Sequence, residues 1–289
     1  MNSRRTFIKN VGLVAGAALI IPSLAFDKVN KNVGLQLYTL RDELPKDVRG
    51  IIEKVAKAGY KEVETYGYSN GKFWGLTPKE FKNLLSSNGL MAPSGHYGMD
   101  DFIKTGKTDA LKADIESCAA IGGKYFTIAG AHVDTSKGAD GFKSTALAFN
   151  KAAELAKASG LKFAYHNHDF EFKKIGDTTG YNVYLNETDK NLVGFELDLY
   201  WVVRSGNDPL SLISAHPGRF PMWHVKDMDK AKPELNTEVG KGSIDFKAIF
   251  ARAKASGLQH FFVEHENNYY PNPIGSIESS CDYIKTNLI

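Results

Sequence analysis

The sequence predicts an α/β protein folded as a single (β/α)8 TIM barrel, and three observations carry that expectation. Short apolar runs alternate with stretches of helical periodicity eight times along the chain. The strand-like runs are apolar almost throughout, as a parallel sheet covered on both faces requires. Helical stretches end in glycine just before the next strand, as at Gly59 and Gly160. A doubly wound open sheet shares the alternation, but it brings a glycine-rich phosphate loop after its first strand. GLQLYTLRDEL, residues 34–44, has none.

In chain order, residues 33–38 (VGLQLY) read as a buried strand, and residues 47–58 as a helix stopped by Gly59. Residues 61–66 are the second strand, and Thr77-Pro78-Lys79-Glu80 opens a helix with a cap, a first-turn proline and an early acid. Residues 90–96 form the third strand, followed by a helix over 108–121. The fourth strand spans 125–131 and leads into an alanine-rich helix over 141–159. The fifth spans 162–172 and the sixth 193–199, with short helices over 181–187 and 209–215. Residues 222–226 and 261–264 are the last two strands, with helices over 246–255 and 274–286.

The 289 residues and their ordinary apolar and charged fractions fit one large domain. The formal charge is +3, and Arg4, Arg5 and Lys9 of the acid-free first 25 residues account for all of it. The remaining chain is neutral, which argues against nucleic acid or an anionic membrane as partner. Cys118 and Cys281 both lie in helical stretches and read as packing residues, with a single bridge as the alternative.

The N-terminus reads as an export signal rather than a membrane span. Arg4-Arg5 precede an apolar run over 11–21 and then Pro22-Ser23-Leu24-Ala25, a twin-arginine pattern with cleavage expected after Ala25. The domains are then 1–25, the signal, and 26–289, the barrel. The protein is expected in the periplasm or otherwise exported, without stable membrane insertion after cleavage. An N-terminal anchor helix is the rival, and the shortness of the run disfavours it.

Chemistry-bearing residues recur where strands end. KFAYHNHDFEF, residues 162–172, carries His166 and His168, which strand alternation would place on one face with Asn167 opposite. GFELDLYW carries Glu196 and Asp198, PMWHVKD carries His224 and Lys226, and FFVEHE carries Glu264 and Glu266. Gln36, Glu64 and His96 end earlier strands. Reactive groups of such barrels lie at the C-terminal strand ends. Carboxylates and imidazoles converging there suit one borderline divalent cation, Mn, Zn or Co, able to polarise a carbonyl or a sugar diol. The competing reading is a network of buried ion pairs with no further role. Tyr38, Tyr66, Trp74, Trp201, Trp223 and Tyr269 lie near these ends, and Trp74 and Trp201 are the favoured pocket-lining aromatics. The glycine loop at 238–245 either holds an anion on backbone N–H groups or is a turn capped by Asp245.

The motifs VGLQLYTLRD, YHNHDFEF, FELDLYWVVRSGNDPL, GRFPMWHVKDM, EVGKGSIDF and FFVEHE resemble, in that order, the sugar phosphate isomerase/epimerase group with the xylose-isomerase-like barrel. That group includes inosose dehydratases and endonuclease IV. The resemblance implies one divalent metal held from strands five to eight. It assigns Asp198, His224 and Glu264 as ligands, with His166 standing where relatives carry a glutamate and His168 as a substitute fourth ligand. Trp201 stands where many relatives have histidine.

The expected function is a metal-dependent isomerase or epimerase of a sugar or keto-sugar, acting by proton abstraction next to a carbonyl. Glu266, Glu196 or His168 would be the base and Lys226 the electrostatic stabiliser. Gln36, Glu64, His96, Trp74 and Trp201 are the substrate-binding candidates. A lyase or dehydratase acting on keto-glycosides or inosose-like substrates is the first alternative, and a non-catalytic sugar-binding barrel the second. The partner is a small-molecule sugar, and an oligomer is compatible with the sequence.

Overall fold

A computed structural model describes residues 31–289, so the expected export signal, residues 1–25, lies outside the described residues. Eight parallel strands close into a barrel: β1 Gly34–Gln36, β2 Glu62–Thr65, β3 Met91–Tyr97, β4 Tyr125–Ile128, β5 Lys162–His166, β6 Val193–Asp198, β7 Met222–Val225 and β8 His260–Val263. β1 pairs with both β2 and β8, which completes the closure. Each strand is followed by at least one helix, the longest being Ala139–Ala158.

Strand alternation sorts the side chains. Outward-facing Val63, Phe126, Phe163, Phe195, Trp223 and Phe261 are fully buried under the helices. Each such burial contributes about 2 kcal/mol. Inside the barrel, Tyr125, Ala164, Met222 and Phe262 form a small separate apolar plug. Gly34 makes room for it, because a Cβ there would lie 2.5 Å from the Phe262 ring. Above the plug the interior turns polar.

The helix caps follow the sequence. Thr77 and Glu80 form a complete capping box, and Asp245 accepts the Ala248 N–H. The 238–245 glycine loop does hold an anion, and it is the protein's own. The Asp227 carboxylate accepts the N–H groups of Met228, Gly240, Gly242 and Ile244. Any side chain at Gly242 would fall on that carboxylate.

Several boundaries differ from expectation. The first strand stops at Gln36, and Leu37–Leu40 form a 3-10 turn carrying Tyr38. The fifth strand stops at His166, and Phe170–Phe172 are a 3-10 turn rather than strand. The cause is local: Glu171 turns back and both its oxygens accept the His168 N–H, at 3.1 and 3.0 Å. His166 and His168 therefore do not share a strand face; their rings meet edge-on at 4.9 Å across a turn. The sixth strand ends in an unexpected helix, Leu199–Arg204, and the 246–255 helix is split into Phe246–Phe250 and Ala253–Ser256. A short helix, Asp100–Thr105, and three two-stranded hairpins were also unexpected. Cys118 and Cys281 are free, buried thiols. Among the described residues no helix is long and apolar enough to cross a membrane.

Candidate active site

The strand register sets the site at one height. Gln36 lies beside Glu64, Glu64 beside Ser94, Glu196 beside His166, and Asp198 beside His224. Inward alternation then brings their side chains to one point above the plug. Glu64 accepts from Gln36 Nε2 at 2.7 Å and Ser94 Oγ at 2.5 Å, and its Oε2 is 2.7 Å from His224 Nε2. His96 Nε2 is shared between Glu196 at 2.8 Å and Glu64 at 3.0 Å. Lys226, fully buried, sits between Glu264 at 3.3 Å and Glu266 at 2.9 Å, with Tyr200 and Trp201 rings about it.

Two overlapping groups offer one donor atom per residue, all within 4.8 Å of one another: His96, His166, Glu196 and His224, and His166, Asp198, His224 and Glu264. Hydrogen bonding at the oxygens nearest the imidazoles separates them, although Glu196 Oε1, like Asp198 Oδ2, is buried without a partner. Glu196 Oε2 is crowded by His96, His166 and His224 at 2.8, 3.2 and 3.3 Å. Asp198 Oδ2 is buried with no hydrogen-bond partner, 3.9 Å from His166 Nε2 and 3.8 Å from His224 Nδ1. A buried carboxylate oxygen left open between two imidazoles fits a cation better than it fits a closed network. The second group is thus the one that fits a divalent ion, with two nitrogen and two oxygen donors.

Electrostatics sharpen the picture. Burial pushes Glu64 up, but His96 and His224 outweigh it and hold the carboxyl well below the usual range. Glu264 is likewise held low by Lys226 and His224 against its burial. Burial lifts Asp198 to about 7, and burial together with the Glu64 charge does the same for Glu196. His96, although buried, is raised to about 9 by Glu64 and Glu196. His166 is pushed well below its ordinary value by burial and the His224 charge, so it is a neutral lone-pair donor. Burial also lowers His168, to about 4.

A pocket of about 320 Å³ opens above this cluster, lined by Tyr38, Tyr66, His96, Ala129, His166, His168, Glu264 and Glu266. Of the sequence candidates, Gln36, Glu64 and Glu196 do not line it; Gln36 donates to Glu64 at 2.7 Å, and Glu196 lies 2.8 Å from His96. Trp74 and Trp201 stand one layer back. Trp74 packs on Tyr66 with ring centroids 5.1 Å apart, and Trp201 on His168 at 5.8 Å. Trp223 is core, its indole N–H donating to Ser256 at 2.8 Å.

Three contributors were missed in the sequence. Asn167, opposite the site, clamps the Asp198 backbone through its side chain, accepting the N–H at 3.1 Å. Glu171, which anchors His168, also accepts the Tyr165 hydroxyl at 2.6 Å. Arg41 straps the rim by donating to the Glu266 carbonyl at 2.6 Å. A carboxylate three residues after His168 was the available signal for Glu171.

Comparison with known proteins agrees with the fold. The family model described as xylose isomerase-like TIM barrel matches residues 52–287. An inosose dehydratase of Clostridium perfringens is 30% identical over 167 residues, covering 51% of this chain and 56% of its own length. The chain thus matches about half the length of such curated relatives. The crystal structure of a sugar phosphate isomerase/epimerase from Parabacteroides distasonis superposes with a TM-score of 0.79 at 27% identity, covering 92% of this chain and 97% of that one. The IOLI protein, solved with a zinc atom, superposes with a TM-score of 0.71 over 89% of this chain and 99% of that one. At 15% identity it shares the fold alone.

Proposed function

Because the chain belongs to the xylose isomerase-like TIM barrel family, we propose that it is a metal-dependent enzyme. It removes the proton next to the carbonyl of a sugar or cyclic polyol ketone and expels a β-oxygen substituent. The observation that carries this reading is the make-up of one pocket. His168 and Glu266 open onto the same space as the candidate metal donors His166 and Glu264.

The proposed ligands are His166, Asp198, His224 and Glu264, and the donor set suits Zn, Mn or Co. A divalent ion there would polarise the substrate carbonyl and acidify the neighbouring C–H. His168 is the proposed base: its lowered value, about 4, leaves the ring neutral at pH 7, and none of the described residues hydrogen-bonds it. It must come within about 3 Å of the proton it takes. His96, held protonated near neutrality by Glu64 and Glu196, lines the same pocket and is the proposed acid. As the C–H bond breaks, the proton passes to His168. The C–O bond then breaks as the double bond forms, and His96 protonates the departing oxygen. Lys226 sets the field behind Glu264 and Glu266.

Base and acid in opposite protonation states serve elimination, and the similarity to proteins named inosose dehydratase favours it. The resemblance to the Parabacteroides isomerase/epimerase over nearly the whole chain favours the second reading, return of the proton to give an isomer. NMR and mass analysis of keto-sugars and an inosose incubated in D₂O separates them. Loss of water or an aglycone is expected, and an isomer of unchanged heavy-atom composition would support the second reading. Binding without either change would support a sugar-binding barrel. Residues 1–25 are proposed to direct export. Lysine at both Arg4 and Arg5 should then retain the precursor in the cytoplasm, and unchanged export rejects the twin-arginine part.

A further inference from the structure

Resting on the enolising site just described, we infer that the pocket takes a neutral, unphosphorylated glycoside whose second ring lies against Tyr38 and Tyr66. The pocket has two ends. His166 and Glu264 at its base are 2% and 5% exposed, whereas Tyr38 at its mouth is 40% exposed. Tyr38 meets Tyr66 edge-on at 5.1 Å, and Tyr66 meets Trp74 edge-on at 5.1 Å. This wall is held in place by the backbone. Trp74 has φ of +44°, a left-handed conformation that a bulky L residue rarely adopts, just after the hairpin of Tyr68–Ser69 and Lys72–Phe73. Aromatic rings at a wet pocket mouth suit the apolar face of a pyranose or an aromatic aglycone. A substituent projecting outward from a sugar seated at the base runs along them.

Charge decides against a phosphate. The carboxylates facing the pocket are Glu264 and Glu266, and the cations around it are engaged. His96 Nε2 is held between Glu64 and Glu196, and Lys226 between Glu264 and Glu266. The Arg41 guanidinium donates to the Tyr38 and Glu266 carbonyls and the Tyr269 hydroxyl, and lies 4.8 Å over the Tyr38 ring. A divalent ion in the site would be balanced by Asp198 and Glu264. With Glu264 committed to that ion, a phosphate dianion would still meet the Glu266 carboxylate, and Arg41, the cation whose partners are neutral, does not line the pocket.

The test is equilibrium binding by calorimetry to the protein with its metal, using probes that lack a carbonyl and cannot turn over. These are methyl and phenyl glycosides of gluco- and galacto-configuration, methyl cellobioside, and methyl glucoside 6-phosphate. The phenyl glycoside or methyl cellobioside should bind about 10-fold tighter than the methyl glycoside, with the phosphate weakest. Tyr38→Ala and, separately, Tyr66→Leu should bring that ratio near unity. Three results overturn the inference: phosphate binding as tight as the phenyl glycoside, a ratio unchanged in both variants, or no binding of any neutral probe. Because the readout is binding alone, α-proton exchange on a keto-sugar that persists beside such a result rejects this subsite and spares the enolising site. Absent exchange beside the expected binding pattern does the reverse.

Discussion

Asp198 divides its carboxylate: Oδ1 accepts the Trp201 N–H at 2.9 Å, while Oδ2 is buried without a hydrogen-bond partner. The first contact caps the helix Leu199–Arg204 and fixes the side chain; the second atom faces the His166 and His224 rings. One residue thus ends a strand, begins a helix and presents a lone pair to the centre of the barrel.

That division predicts how Asp198→Asn behaves. The amide oxygen can keep the cap, but the variant lacks the anionic donor, so metal affinity should fall by roughly 10²-fold or more, beyond the loss typical of supporting residues. Metal-free stability should change little, because burial already favours the neutral form of this carboxyl near pH 7. Metal analysis and thermal unfolding with a chelator check both halves. Full metal occupancy in the variant contradicts the assignment.

Proton competition gives a second expectation. Asp198 is lifted to about 7 without metal and must lose its proton to bind a cation. His224, held protonated by Glu196 and Glu264, must give up its proton as well, so affinity for Zn or Mn should rise as pH increases through 7 and keep rising above it, with proton release on binding. Calorimetric titration between pH 6 and 8 in buffers of different ionisation enthalpy reads both. A pH-independent affinity without proton release contradicts it.

Glu171 gives a stability signature away from the metal donors. Burial raises its carboxyl from 4.5 to about 7 in the fold. The folded state holds the proton more tightly, so this contribution is fully present below pH 4.5 and is lost as pH rises to 7. The loss amounts to about 3 kcal/mol at most. Glu171→Gln retains an acceptor for Tyr165 and His168 and removes the slope. Its advantage over wild type in denaturant unfolding should grow from pH 4.5 to 7 and then stay constant; a constant difference across that range contradicts the assignment.

The barrel was legible because its strands and helices differ in period, and because most inward polar residues that interrupt the apolar runs fall towards the C-terminal strand ends, Glu62, Ser94 and His260 being exceptions. Asp198, His224 and Glu264 could be read as convergent for that reason. His168 could not be placed by alternation, since Glu171 folds the chain back after His166, a hydrogen bond that no periodicity records. The helix after Asp198 was hidden because LYWVVR is as apolar as a strand, and only the cap reveals it. The Asp227 contact with Gly240 and Gly242 joins positions far apart in sequence, so the loop's glycines were readable but their internal anion was not. Trp74 and Trp201 were favoured for following strand ends, yet position along the chain does not fix depth, and each stands behind a residue that lines the pocket.

The measurement that tests the central claim most directly is incorporation of solvent deuterium at the carbon next to the carbonyl. It is followed by NMR on a panel of keto-sugars and inososes with wild type, His168→Gln and Glu266→Gln. Exchange is predicted in the wild type. In His168→Gln it should fall by roughly 10²-fold or more, with metal content and ligand binding retained. Glu266→Gln should lose less. Near-normal exchange in His168→Gln with loss in Glu266→Gln would move the base to Glu266. No exchange in the wild type with ketones that demonstrably bind would contradict the account.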